Sequence, residues 1–120
     1  MTVRRPPPKA PIVQTVHTSV IARRVRIDTD FVTLPYEAGW ATEAVFFTQV
    51  EGQHPPLTVT AEISPDGINW LPRGEPQVLD EAASMVATPL TVFGNWVRVA
   101  IRGATPTSAA RVLVHLTLKG

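Results

Sequence analysis

Leu57, Val59, Ala61 and Ile63 alternate with Thr58, Thr60, Glu62 and Ser64, the period of two that marks a half-buried β-strand. The same alternation recurs in residues 95–103, where Val97, Val99 and Ile101 oppose Arg98 and Arg102. Residues 110–119 repeat it with Val112, Val114, Leu116 and Leu118 on one side. Residues 42–50 are apolar on both faces. Ala44, Phe46, Thr48 and Val50 share one face and Val45, Phe47 and Gln49 the other, which predicts a central strand. In residues 19–28, Val20 and Ala22 and then Val25 and Ile27 alternate, and the phase change at Arg23-Arg24 predicts a bulge. Leu113, Phe46 and Val50 are read as outward-facing apolar candidates for contact.

Between these runs the punctuation is clear. Ser64-Pro65-Asp66-Gly67-Ile68-Asn69-Trp70 predicts a hairpin turn at Pro65, Asp66 and Gly67, because proline presets one turn dihedral and glycine supplies the positive φ. Ile68 and Trp70 are then expected on the returning strand. Residues 104–108 read as a hairpin loop joining the last two runs. Residues 80–85 have room for one helical turn capped by Asp80, since Pro76 and Pro89 bracket them. Seven or eight short strands without intervening helices predict an all-β, antiparallel β-sandwich of jelly-roll type, with a closed barrel as the alternative.

Composition adds an arm and removes several partners. With 120 residues the chain is one domain by length. Residues 1–15 hold Pro6, Pro7, Pro8 and Pro11 with only positive charges, an extended basic arm ahead of a domain at 16–120. Arg4, Arg5, Pro7, Lys9, Ile12, Val13 and Val16 are its candidate partner-binding residues. A net charge of +1 disfavours a dedicated nucleic-acid binder and leaves association of copies unopposed by repulsion. The absence of cysteine excludes disulfides and thiolate chemistry. No signal peptide and no apolar run long enough to span a bilayer are expected, which places synthesis in the cytoplasm and excludes a membrane partner.

Candidate chemistry is sparse. His17, His54 and His115 are far apart and lack a nucleophile motif, so each reads as a surface histidine and no catalytic residue is assigned. Asp28-Thr29-Asp30 is the one close carboxylate pair; a calcium site would need Asp66 or Glu37 as well, and a hydrogen-bonded turn is the simpler reading. Neither a metal nor a cofactor is expected. Arg23, Arg24 and Arg26, and Arg98, Arg102 and Arg111 on one outer face, would be the phosphate contacts of a nucleic-acid surface, against the alternative that they pair with Glu43 or Glu62 across strands. Trp40, Trp70 and Trp96 are an alternative ligand platform for a glycan, set against tryptophans that close the end of a core.

Glu62-Ile63-Ser64-Pro65-Asp66-Gly67-Ile68-Asn69-Trp70, then Asn95-Trp96-Val97-Arg98-Val99 and the closing Val112-Leu113-Val114-His115-Leu116, resemble small β-sandwich structural proteins of tailed phages, of the capsid-decoration (cement) or tail-accessory type. The resemblance covers residues 57–118. It implies a virion location, no enzyme activity, and protein partners: shell subunits and copies of itself, in a homo-oligomer for which a trimer is one form. The alternative is a carbohydrate-binding module.

Overall fold

The computed structural model describes residues 14–120. The arm residues Arg4, Arg5, Pro7, Lys9, Ile12 and Val13 lie outside the described residues; Val16 lies inside, at the start of a strand.

Among the described residues nine strands form in chain order: β1 (Val16–Ile27), β2 (Phe31–Val32), β3 (Tyr36–Glu37), β4 (Glu43–Glu51), β5 (Leu57–Ser64), β6 (Leu71–Leu79), β7 (Met85–Thr91), β8 (Trp96–Arg102) and β9 (Ala110–Lys119). No helix occurs among the described residues. Sheet 1 has the order β1-β9-β4-β7 and sheet 2 the order β2-β8-β5-β6, with β3 also on β8. Since β2 and β3 pair with successive stretches of β8, they act as one interrupted edge strand. Counted that way, the chain is an eight-stranded ribbon in which the first strand pairs the last, the second the seventh, the third the sixth and the fourth the fifth. Rolled into two sheets, that pairing is a jelly roll.

The core lies between the inward faces. Ala44, Phe46 and Val50 of β4 and Val112, Val114, Leu116 and Leu118 of β9 meet Leu57, Val59 and Ala61 of β5 and Val97, Val99 and Ile101 of β8. β4 is central as expected, between β9 and β7. β1 is longer than the pattern implied and its register shifts twice, between Val20 and Ala22 and between Ala22 and Val25, with Arg24 at φ 48. The bulge expected at Arg23-Arg24 is there, but a second shift, between Val20 and Ala22, turns Ala22 inward while Val20 faces out, so the two do not share a face as the alternation implied.

Two expectations need correction. Residues 104–108 do not join a hairpin: β8 is in sheet 2 and β9 in sheet 1, so this segment crosses between layers. Nor do Pro76 and Pro89, read as brackets of a helical turn, stand outside the strands. Pro72 and Pro76 lie in β6 and Pro89 in β7. Both are edge strands, where one side of the backbone has no neighbour and a missing N–H costs no ladder bond. Residues 80–84 form a turn, which Asp80 caps through bonds of 2.9 Å from the N–H groups of Ala82 and Ala83.

Candidate interaction surfaces

The outward face of sheet 1 is unusually apolar for a surface that meets water, since such a sheet normally alternates apolar-in and polar-out. Register sets the rows. Val20 of β1 lies opposite His115 of β9, which lies opposite Phe47 of β4, which lies opposite Ala87 of β7. The next row runs Thr18, Thr117, Val45, Pro89, and on the other side Leu113, Gln49 and Met85 follow one another. Val16, 56% exposed, and Met85, 50% exposed, bound this patch at opposite edges. Its two ends are charged. Glu43 faces Lys119 at one end and Glu51 faces Arg111 at the other, with Arg24 Nε 2.9 Å from Glu51 Oε1. Leu113 is on this face, but Phe46 and Val50 are buried; the same-strand outward residues are Val45 and Phe47. Both faces of β4 are apolar, and the sequence does not say which of them meets the core.

At one corner, where the edges of the two sheets approach, Thr15, His17, Pro35, Tyr36, Glu37 and Trp40 line an open cleft of about 560 Å³. Ser19 links the sheets here, 2.9 Å from His17 Nε2 and 2.9 Å from Tyr36 Oη. Trp40 is 47% exposed.

The turn after β5 is held by its own side chains. Asp66 Oδ1 accepts the N–H groups of Ile68 (2.9 Å) and Asn69 (2.8 Å), and Oδ2 accepts the Asn69 side-chain amide (2.8 Å). Ser64 Oγ accepts the Gly67 N–H at 2.8 Å and donates to Asp66 Oδ1 at 3.0 Å. The Asn69 N–H, then that of Ile68, hold the Asp66 carboxyl well below the usual carboxylate range. Pro65, Asp66 and Gly67 (φ 77) form the turn as expected, but it is longer than a tight hairpin. Ile68 and Trp70 therefore sit in the loop and not on the returning strand, which starts at Leu71. On the outward face beside it, Arg98 stacks over the Trp70 ring and reaches Glu62, while Trp96 packs on Gly67.

The histidines do not converge. His17 and His115 project from opposite faces of sheet 1, opposite Leu118 and Val20 respectively. His54 is buried, contrary to the surface expectation, with Nδ1 2.7 Å from Pro55 O and Nε2 2.7 Å from Ala83 O. These bonds pin the β4–β5 connection to the Asp80 turn. Beside it an open cleft of about 630 Å³ is lined by Gln53, Glu81, Thr107 and Ser108 among others. The arginines do not share a face either: Arg98 and Arg102 are on sheet 2 and Arg111 is on sheet 1. Arg98 pairs with Glu62, Arg26 with Asp28, and Arg102 lies 4.0 Å from Asp30. Among the described residues no three carboxylate, histidine or cysteine side chains cluster as metal ligands.

Residues 40–119 match the family described as "Domain of unknown function (DUF6385)". The chain belongs to this family. The DUF6385 region runs from Trp40 through β4 to β9, so it holds the Asp66 turn, the Arg98 cluster and most of the sheet 1 face. β1 to β3, and with them most of the Trp40 cleft, precede it. No curated protein matches the chain. Among solved structures, the DUF6385 chain is similar to one in the structure of infectious bursal disease virus Gx strain, with a TM-score of 0.53 and 11% identity over 99% of this chain and 36% of that one. A family two carbohydrate esterase from Cellvibrio japonicus aligns with a TM-score of 0.45 and 14% identity over 90% of this chain and 34% of that one. The chain spans about a third of the length of each. The viral likeness is one of fold alone.

Proposed function

We propose that this protein is a non-enzymatic assembly component, a decoration or cement subunit of a virion or similar protein shell, that attaches through the outward face of sheet 1 and the basic arm. The observation that carries the reading is that each of the four strands sets apolar side chains on that face, Val20, Leu113, Val45 with Phe47, and Met85, between its charged ends. Burying Val20, Val45, Phe47 and Leu113 against a partner removes from water the side chains that an isolated domain would keep polar. Supporting it are the resemblance to phage structural proteins, the arm that enters the domain at the edge strand of the same sheet, and the use of jelly rolls in shells.

The charges at the ends of the face favour a second copy as one neighbour. A two-fold axis along the strands, between β4 and β9, lays each Glu43 over the other copy's Lys119 and each Glu51 over its Arg111. An axis across the strands would set acid on acid. This geometry favours pairs over the trimer suggested by shell symmetry. A face of four strands is roughly 19 Å by 30 Å; with the arm it approaches the about 800 Å² that a stable interface buries on each partner.

Light scattering on the full chain tests the proposal. A mass above the monomer is expected, falling to the monomer in the double variant Val45→Glu, Phe47→Lys. Deleting residues 1–13, which leaves the Thr15–Gly120 backbone pair intact, is expected to weaken association without unfolding the domain. A monomer at every concentration, with no attachment to a candidate shell, would overturn the proposal.

A further inference from the structure

Trp40 is held rigidly and yet left open. The turn that carries it is fixed on both sides. Ala38 is buried and donates its N–H to Asn95 O at 2.8 Å, Ala41 N–H bonds Ala38 O at 3.0 Å, and Thr42 N–H bonds Lys119 O at 2.8 Å. A methyl group at Gly39 would collide with the Asn95 side chain, and one at Gly120 would come within 2.9 Å of the Trp40 ring, so the indole edge packs on backbone. A tryptophan this exposed contributes little to the core. A fixed backbone and a packed indole edge leave less freedom to lose when a partner stacks on the ring, which is the preorganisation that favours a ligand. The other two tryptophans are occupied. Trp70 lies under Arg98, with the guanidinium carbon 4.1 Å from the ring centroid, and Trp96 is against Gly67.

The rest of the cleft has the chemistry of a polyol site. Glu37 is an exposed carboxylate, an acceptor for hydroxyl donors. Thr15 offers a hydroxyl, and His17, whose Nε2 lies 2.9 Å from Ser19 Oγ, has no partner for Nδ1 among the described residues. Pro35 and the Tyr36 ring supply apolar wall. Among the described residues no lysine or arginine lines the cleft and Glu37 is its carboxylate, a lining that disfavours an anionic ligand. Its volume of about 560 Å³ falls within the range of small-ligand sites, about 300–1,000 Å³.

We propose that this cleft binds a neutral pyranoside. The flat face of axial C–H groups on one sugar ring stacks on Trp40, and hydroxyls on its rim donate to Glu37. The site joins β1, β3 and the β3–β4 turn, elements that no local motif connects. It is separate from the sheet 1 face, so it stands or falls independently of the assembly reading.

Isothermal titration and amide NMR of the full chain against cellotetraose, mannotetraose and chitotetraose test it. At least one is expected to bind and to move one of the three indole N–H signals, that of Trp40, identified by its loss in Trp40→Phe. Trp40→Ala should weaken binding by about tenfold or more, and Glu37→Gln by severalfold, because the amide oxygen still accepts a hydroxyl but no longer carries the charge. Should Trp40→Ala fail to fold, Glu37→Gln alters only an exposed side chain and still decides. No heat and no shift with any of the three at about 10 mM would overturn the proposal. So would shifts at Trp70 or Trp96 in place of Trp40, or unchanged affinity in both variants. The solution mass is expected to stay the same with and without sugar.

Discussion

The guanidinium carbon of Arg98 lies 4.1 Å above the centre of the Trp70 ring. The same side chain puts Nε 2.6 Å from Glu62 Oε1, and the pair is mostly shielded, at 21% and 14% exposure. Arg98 thus ties strand β8 to both strand β5 and the turn after it. Arg98→Ala should cost about 2–4 kcal/mol, because it strands a shielded carboxylate and uncovers an indole. Arg98→Lys should recover part of this, since an ammonium keeps the charge but not the planar stack. Urea unfolding followed by tryptophan fluorescence measures both.

Acid should act on the Asp66 turn. Two N–H groups and an amide lower this carboxyl in the folded protein, while the unfolded chain keeps the ordinary value of 3.8. A lowered folded pKa gives a contribution that is fully present above the unfolded value and is lost as pH falls through the folded one. Thermal melts from pH 6 to pH 2 should therefore decline below about pH 4. Asp66→Asn should flatten that part of the curve. A variant curve as steep as the wild type's would show that the acid sensitivity lies elsewhere.

Backbone substitutions at two loop positions should move stability in opposite directions. Gly103 has φ 120, and a Cβ there would run into Pro56 O, so Gly103→Ala should destabilise by at least about 2 kcal/mol. Val92 is a β-branched residue at φ 53 and is 78% exposed, so Val92→Gly should raise stability by about 1 kcal/mol. Paired denaturation curves test the contrast.

Buried hydroxyls at Thr48 and Thr88 find no hydrogen-bond partner among the described residues. Valine has nearly the same shape and nothing to desolvate. Thr48→Val should stabilise by about 1 kcal/mol, and Thr88→Val similarly. A loss of stability in both would mean the hydroxyls are satisfied by bound water.

The strands that could be read from sequence are those with one face in the core. β5, β8 and β9 alternate because Val59, Val99 and Val114 are sealed while Thr60, Arg98 and His115 are not. β6 gives no such signal: from Leu71 to Val78 it is exposed or half-exposed at an edge, so nothing selects alternate residues, and its prolines look like loop. β2 and β3, at two residues each, are too short for a period. Partner choice was equally hidden. β8 and β9 look like a hairpin because they are adjacent and alike, but the roll of the ribbon sends them to different layers. The three tryptophans were visible as a class, whereas Tyr36, Glu37 and His17 gather beside Trp40 only through the meeting of two sheet edges.

Strand β9 holds a place in sheet 1 between β1 and β4, and it is synthesised after every other strand of this domain. A ribosome must therefore translate nearly all of the domain before that sheet can close. Until then β1 has no hydrogen-bonding neighbour, and β4 shows an open edge lined by Phe46, Phe47 and Val50. Closure of this sheet waits until β9 has emerged, and the nascent chain depends on speed of closure, or on a chaperone, to keep that edge from pairing with another copy.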